Sequence, residues 1–98
     1  MEEERIKIDN MMEFLRIFGD YTIKAKVIGV YDFGNKFRVE IFKGLETDRI
    51  YVLEFGKSTF QGSFPKKFKD YIINAKYDEA REKYILFFTP YDPIKQLW

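Results

Sequence analysis

The chain has 98 residues, 46% of them hydrophobic and 19% aromatic, with eleven Phe and seven Tyr. That is enough for one domain with a substantial core, residues 1–98, and it excludes both a second domain and disorder of the whole chain. Seventeen Lys and Arg against sixteen Asp and Glu leave a net charge of +1, so attraction to a polyanion has to come from a local cluster of charge.

Chemistry is narrowed further by what is missing. With no Cys and no His, there is no disulfide framework, no thiolate or imidazole ligand for a metal, and none of the commonest nucleophiles and general bases. No cofactor, no metal and no catalytic residue are expected, and the protein reads as a non-enzyme. The start, Met1-Glu2-Glu3-Glu4-Arg5, is acidic where a targeting peptide is basic and then apolar. No apolar run approaches the roughly 20 residues that span a bilayer. A cytoplasmic protein without a membrane partner is expected. The bias towards Lys, Glu, Ile and Tyr fits a heat-adapted protein or an AT-rich genome such as a phage's.

Residues 1–9 read as an N-terminal extension. Asn10, with Glu13 three positions on, has the spacing of a capping box, and Gly19 stands where a short helix would stop. The spacing predicts a helix over 11–18, with Met11, Phe14, Leu15 and Phe18 on one apolar stripe. From Tyr21 the period changes to two: Tyr21, Ile23, Ala25 and Val27 alternate with Thr22, Lys24 and Lys26. Gly29 interrupts, and Ile28 and Val30 take the apolar role on the other parity, which suggests a bulge or bend. Asp32 to Asn35 supplies turn chemistry, and Phe37, Val39 and Ile41 alternate with Arg38 and Glu40, completing a hairpin.

Ile50 to Phe55 reads as a third strand, apolar on both faces except at Glu54 and therefore central or covered. Gly56 to Ser63 reads as a loop, and Pro65 opens a short helix through about Tyr71. Residues 71–77 extend that helix or form a fourth strand. Asp78 to Lys83 suits a turn, and Tyr84 to Thr89 a strand. Pro90 and Pro93 end regular structure and leave 91–98 as a tail. The fold class expected is α+β, mostly antiparallel β: a small barrel of about five strands, with a short helix before the strands and another after the third. The order resembles the OB-fold in topology; an SH3-like barrel or an open sheet gives nearly the same pattern.

Among enzymes, a magnesium-dependent nuclease would need an acid and a Lys two apart on one strand face. Glu40 with Lys43 and Glu54 with Lys57 are three apart, on opposite faces. No phosphate-binding P-loop or dinucleotide fingerprint occurs. The stretch from Lys57 to Lys69 carries four Lys, no acid and three Phe. Lysines that follow phosphates, beside rings that stack on bases, are how single-strand binders work. Phe64 and Phe68, four apart, are expected to anchor a helix to the core, which leaves Phe60 as the exposed ring beside Lys57, Lys66 and Lys67. Lys24, Lys26, Arg38 and Phe42 share the outer strand face on which OB-folds bind oligonucleotides. The tail, with Tyr91, Leu97 and the single Trp98, suits a partner protein or a homodimer contact.

Two functions follow as expectations. One is a module that binds nucleic acid, preferably single-stranded DNA or RNA, through Lys24, Lys26, Arg38, Phe42, Lys57, Phe60, Lys66 and Lys67. The other is a protein-interaction module, such as a small phage or archaeal regulator or inhibitor, that uses its aromatic surface and Tyr91, Leu97 and Trp98.

Overall fold

The computed structural model describes residues 4–92. Its first strand, β1 (Glu4–Ile8), leads to α1 (Met11–Phe18) through a cap formed by Asn10, whose side-chain oxygen accepts the Glu13 N–H at 2.9 Å. The helix stops at Gly19, in the left-handed conformation at φ 65°, whose N–H donates to the Leu15 carbonyl at 2.8 Å. Eight residues are too few to hold a helix in isolation. Packing supplies the rest: Phe14 and Phe18 are buried, edge to face at 4.8 Å.

Next come β2 (Thr22–Asp32), β3 (Lys36–Lys43) and β4 (Arg49–Gly56). Ile23, Ala25 and Val27 point into the core while Lys24 and Lys26 between them face water. The pairing of β2 with β3 slips between Val27 and Gly29, which is the bulge the parity switch predicts, and Val30 packs against the core beyond it. Gly29 sits opposite Glu40, where a Cβ would lie 3.0 Å from both the Glu40 Oε1 and the Tyr31 ring. A side chain there would have to push the Glu40 carboxylate or the Tyr31 ring aside by a few tenths of an ångström, so the close approach favours glycine. β4 is buried from Ile50 through Phe55, Glu54 included.

A 3-10 turn, Lys57–Thr59, leads into the three-residue β5 (Phe60–Gly62), and β6 (Asp70–Asp78) and β7 (Lys83–Pro90) follow. The seven strands of the described residues form one open sheet in the order β1-β4-β3-β2-β6-β7-β5. Its outermost pairings, β1 with β4 and β5 with β7, are parallel, and the rest are antiparallel. The sheet curls until the Phe60 ring on one edge strand meets Phe37 on β3 at 5.8 Å and Phe55 on β4 at 6.1 Å. Ile8, Phe14, Val39, Ile41, Leu53, Ile73, Leu86 and Phe88 fill the concave side.

The protein is thus α+β and mostly β, but two expectations are corrected and one left open is decided. Among the described residues the sheet has seven strands and is open, not a closed barrel of about five: residues 4–8, read as part of an extension, pair in parallel with β4, and 60–62 add a second edge. Residues 71–77 are strand. No helix follows Pro65, because Phe68 takes φ 68° in a turn closed by the Lys69 N–H on the Lys66 carbonyl at 3.3 Å. A left-handed residue at the third position of such a turn cannot continue a helix.

Candidate nucleic-acid interface

The turn at 63–69 is fixed from beneath. Tyr71 is buried, and its hydroxyl accepts the Lys66 N–H at 2.8 Å and donates to the Phe64 carbonyl at 3.4 Å. The Phe68 N–H donates to the Val27 carbonyl at 2.7 Å, and the Lys69 carbonyl accepts the Val27 N–H at 2.9 Å. With its backbone bonded inward, the turn projects its side chains out: Phe64 is 59% exposed and Phe68 68%. The Lys67 ammonium lies 5.0 Å from the Phe68 ring centre. A left-handed conformation costs a non-glycine residue about 1–2 kcal/mol. A large ring held in it and turned to solvent is the kind of outlier that marks a binding site.

Beside the turn lies a groove of about 690 Å³, lined by Phe64, Lys66, Phe68, Lys69, Asp70, Tyr71 and Tyr91 among others. A second depression of about 260 Å³ is lined by Lys24, Lys26, Phe42, Leu45 and Asp70 among others. Asp70 is common to both, so the two adjoin. Lys26 stands opposite Phe42 on β3 and opposite Asp70 on β6. Lys24 lies over the Tyr91 ring at 4.1 Å, and the Tyr91 N–H donates to the Asp70 carbonyl at 3.0 Å. Among the described residues, Lys24, Lys26, Lys66, Lys67 and Lys69 form no ion pair. Five cations without a carboxylate partner, partly exposed rings and a groove can hold an anionic chain by charge and a flat group by stacking.

The residues singled out from the sequence divide accordingly. Lys24, Lys26, Phe42, Lys66 and Lys67 gather around the two depressions, or on the turn that rims them, and Tyr91, read as a partner contact, joins them. Arg38 is engaged elsewhere: its Nε donates to Glu54 at 3.2 Å and its guanidinium covers the Phe33 ring at 4.9 Å. Lys57 pairs with Asp32 at 2.8 Å and lies over Phe37. The Lys57 ammonium, with a further bond from the Gly34 N–H, holds the Asp32 carboxyl below its ordinary value.

Phe60 is corrected most sharply. It is not the exposed ring but a half-buried one, packed on Phe37, Phe55 and Phe88 at 5.8, 6.1 and 5.9 Å. Phe64 and Phe68, expected to be buried, are the exposed pair. Leu97 and Trp98 lie outside the described residues. Lys69 stood among the candidates only as the end of the basic stretch, and Asp70, which lines both depressions, was not among them. The available signal was Pro65 followed by Lys66-Lys67, a turn rather than a helix start once Phe68 is left-handed.

Among the described residues no three acidic side chains stand together as metal ligands, and no helix is long and apolar enough to cross a membrane. Compared with known proteins, the chain matches no family model, no curated protein and no solved structure.

Proposed function

We propose that the protein is a non-enzymatic module that binds single-stranded nucleic acid along the two adjoining depressions. Lys24, Lys26, Lys66, Lys67 and Lys69 neutralise phosphates, and Phe64, Phe68 and Tyr91 offer faces to unpaired bases. The observation that carries this reading is the Phe68 ring, 68% exposed on a backbone at φ 68° beside lysines free of any carboxylate. A residue that only filled the core would gain nothing from that position. A rigid duplex keeps its bases stacked on one another, so protruding rings favour single strands. The scaffold we propose is barrel-like, with the outer side of β2 and β3 carrying part of the site as in OB-folds.

Fluorescence anisotropy with labelled single- and double-stranded oligonucleotides tests this at two salt concentrations about fourfold apart. The single strand should bind, more tightly than the duplex, and its affinity should fall as salt rises. No binding at low salt, or affinity indifferent to salt, contradicts the proposal. One observation favours a second reading, docking of a protein or a second copy of the chain: Leu45, in the turn between β3 and β4, is 97% exposed. If a protein contact is the function, Leu45→Ser should abolish self-association or partner capture; a chain that captures no partner and whose mass in solution stays that of a monomer at rising concentration contradicts this second reading.

A further inference from the structure

Asp70 is out of place on a surface that attracts phosphate. It is half-buried at the junction of the two depressions, with Lys66 and Lys69 lining one side and Lys24 and Lys26 the other. Its backbone is held by the pairing with Lys26 and by the Tyr91 N–H on its carbonyl at 3.0 Å. Despite those neighbours, its carboxylate forms no ion pair among the described residues. A carboxylate repels a phosphate, so the sugar–phosphate chain cannot run over this point. It has to follow the lysines on either side and leave Asp70 facing something that donates hydrogen bonds.

We propose that Asp70 reads the edge of a base and selects guanine; the inference rests on the nucleic-acid reading above and gives it a preferred base. An ionised carboxylate only accepts, through two oxygens side by side. The hydrogen-bonding edge of an unpaired base is free to meet it. Guanine presents two parallel donors there, the ring N1–H and the 2-amino group, matching two carboxylate oxygens as the fork of a guanidinium does. Adenine and cytosine offer a single amino group. Thymine and uracil offer one N–H between two carbonyl oxygens, which the carboxylate repels. The guanine ring stacks in the groove on Phe64 or Phe68, with its donor edge turned to Asp70.

Short oligo-thymidine strands carrying one central guanine, hypoxanthine or thymine test the assignment, since hypoxanthine is guanine without the 2-amino group. The wild-type protein should bind the guanine strand about tenfold more tightly than the all-thymine strand, with the hypoxanthine strand between them. Asp70→Asn should erase the guanine advantage while binding the all-thymine strand at least as tightly as wild type, because a repelling charge is gone. Equal binding of the three strands by the wild type, or a guanine preference that survives in Asp70→Asn, overturns the assignment of Asp70. Should no strand bind in a salt-dependent way, the nucleic-acid reading itself fails and this inference with it.

Discussion

Two basic surfaces of the molecule use the same residue types differently. On the outer side of β1, β4 and β3, Arg5 pairs with Glu40 at 2.7 Å, while Lys36, Arg38 and Lys7 surround Glu54 at 2.5, 3.2 and 3.9 Å. Both carboxylates are nearly covered, Glu40 7% and Glu54 6% exposed. A carboxylate taken out of water needs partners, so those four cations are committed to holding the sheet's charge balance. Around the turn at 63–69 five lysines meet one aspartate and, among the described residues, form no ion pair, although Lys24 and Lys67 lie against the Tyr91 and Phe68 rings. The rings differ in the same way: Phe60 fills the gap between the curled edges of the sheet, whereas Phe68 is turned to water. What separates the two surfaces is therefore whether a cation has a carboxylate beside it and whether a ring is covered or exposed.

Removing Phe60 should break this contrast on the structural side. Phe60→Ala strips a ring from contact with three others and should lower stability by about 2–3 kcal/mol in a denaturant titration. Phe68→Ala should change stability by no more than about 0.5 kcal/mol. A Phe60 variant as stable as the Phe68 variant would mean that the two rings are not different in kind. On the binding side, Phe64→Ala combined with Phe68→Ala should weaken single-strand affinity about 5- to 150-fold for each base that loses its ring, at roughly 1–3 kcal/mol per stacked base.

The strain at Phe68 sharpens the comparison. Phe68→Gly removes the same ring as Phe68→Ala but relieves the left-handed conformation, so the glycine variant should be the more stable by about 1 kcal/mol, with equally weak binding. Thermal melts and anisotropy on the pair measure the two effects separately, and equal stabilities would show that the backbone at 68 carries no strain.

A smaller effect concerns pH. The hydrogen bond from the Lys36 ammonium is the main reason that the Glu54 carboxyl lies below its ordinary value; Arg38 and Lys7 add to it, and burial opposes them. Because the folded value is the lower, this group's stabilisation is fully present above the unfolded carboxylate range and is lost as pH falls through the folded value. Glu54→Gln should flatten the acid side of a plot of melting temperature against pH. A plot as steep as that of the wild type would remove Glu54 from the account.

How much of this was written locally in the chain can be judged residue by residue. α1 was legible because Asn10, Glu13 and Gly19 act within one helix, and the bulge because Gly29 coincides with a change of parity. β1 was not, although Ile6 and Ile8 alternate with Arg5 and Lys7. A five-residue run becomes a strand only through its parallel partner β4, some 45 residues away in register. Phe60 and Phe68 exchanged roles for the same kind of reason. Polar neighbours made Phe60 look exposed, but its pairing to Leu86 carries it back over the core. Four-residue spacing made Phe64 and Phe68 look helical, but the Tyr71 hydroxyl and the Val27 carbonyl hold that segment in a turn. Of the residues that line the second depression, Lys26 and Phe42 meet within one hairpin and were candidates from the sequence; Asp70 joins them only through β6 and was not.

The contrast between committed and free cations is tested most directly by the slope of log affinity against log salt for a single-stranded oligonucleotide. Lys66→Gln with Lys67→Gln should make the slope shallower by about 1.4, roughly 0.7 for each phosphate no longer neutralised. Lys36→Gln with Arg38→Gln should leave the slope at its wild-type value. The opposite pattern, with the slope changed by the second pair and untouched by the first, would contradict the account.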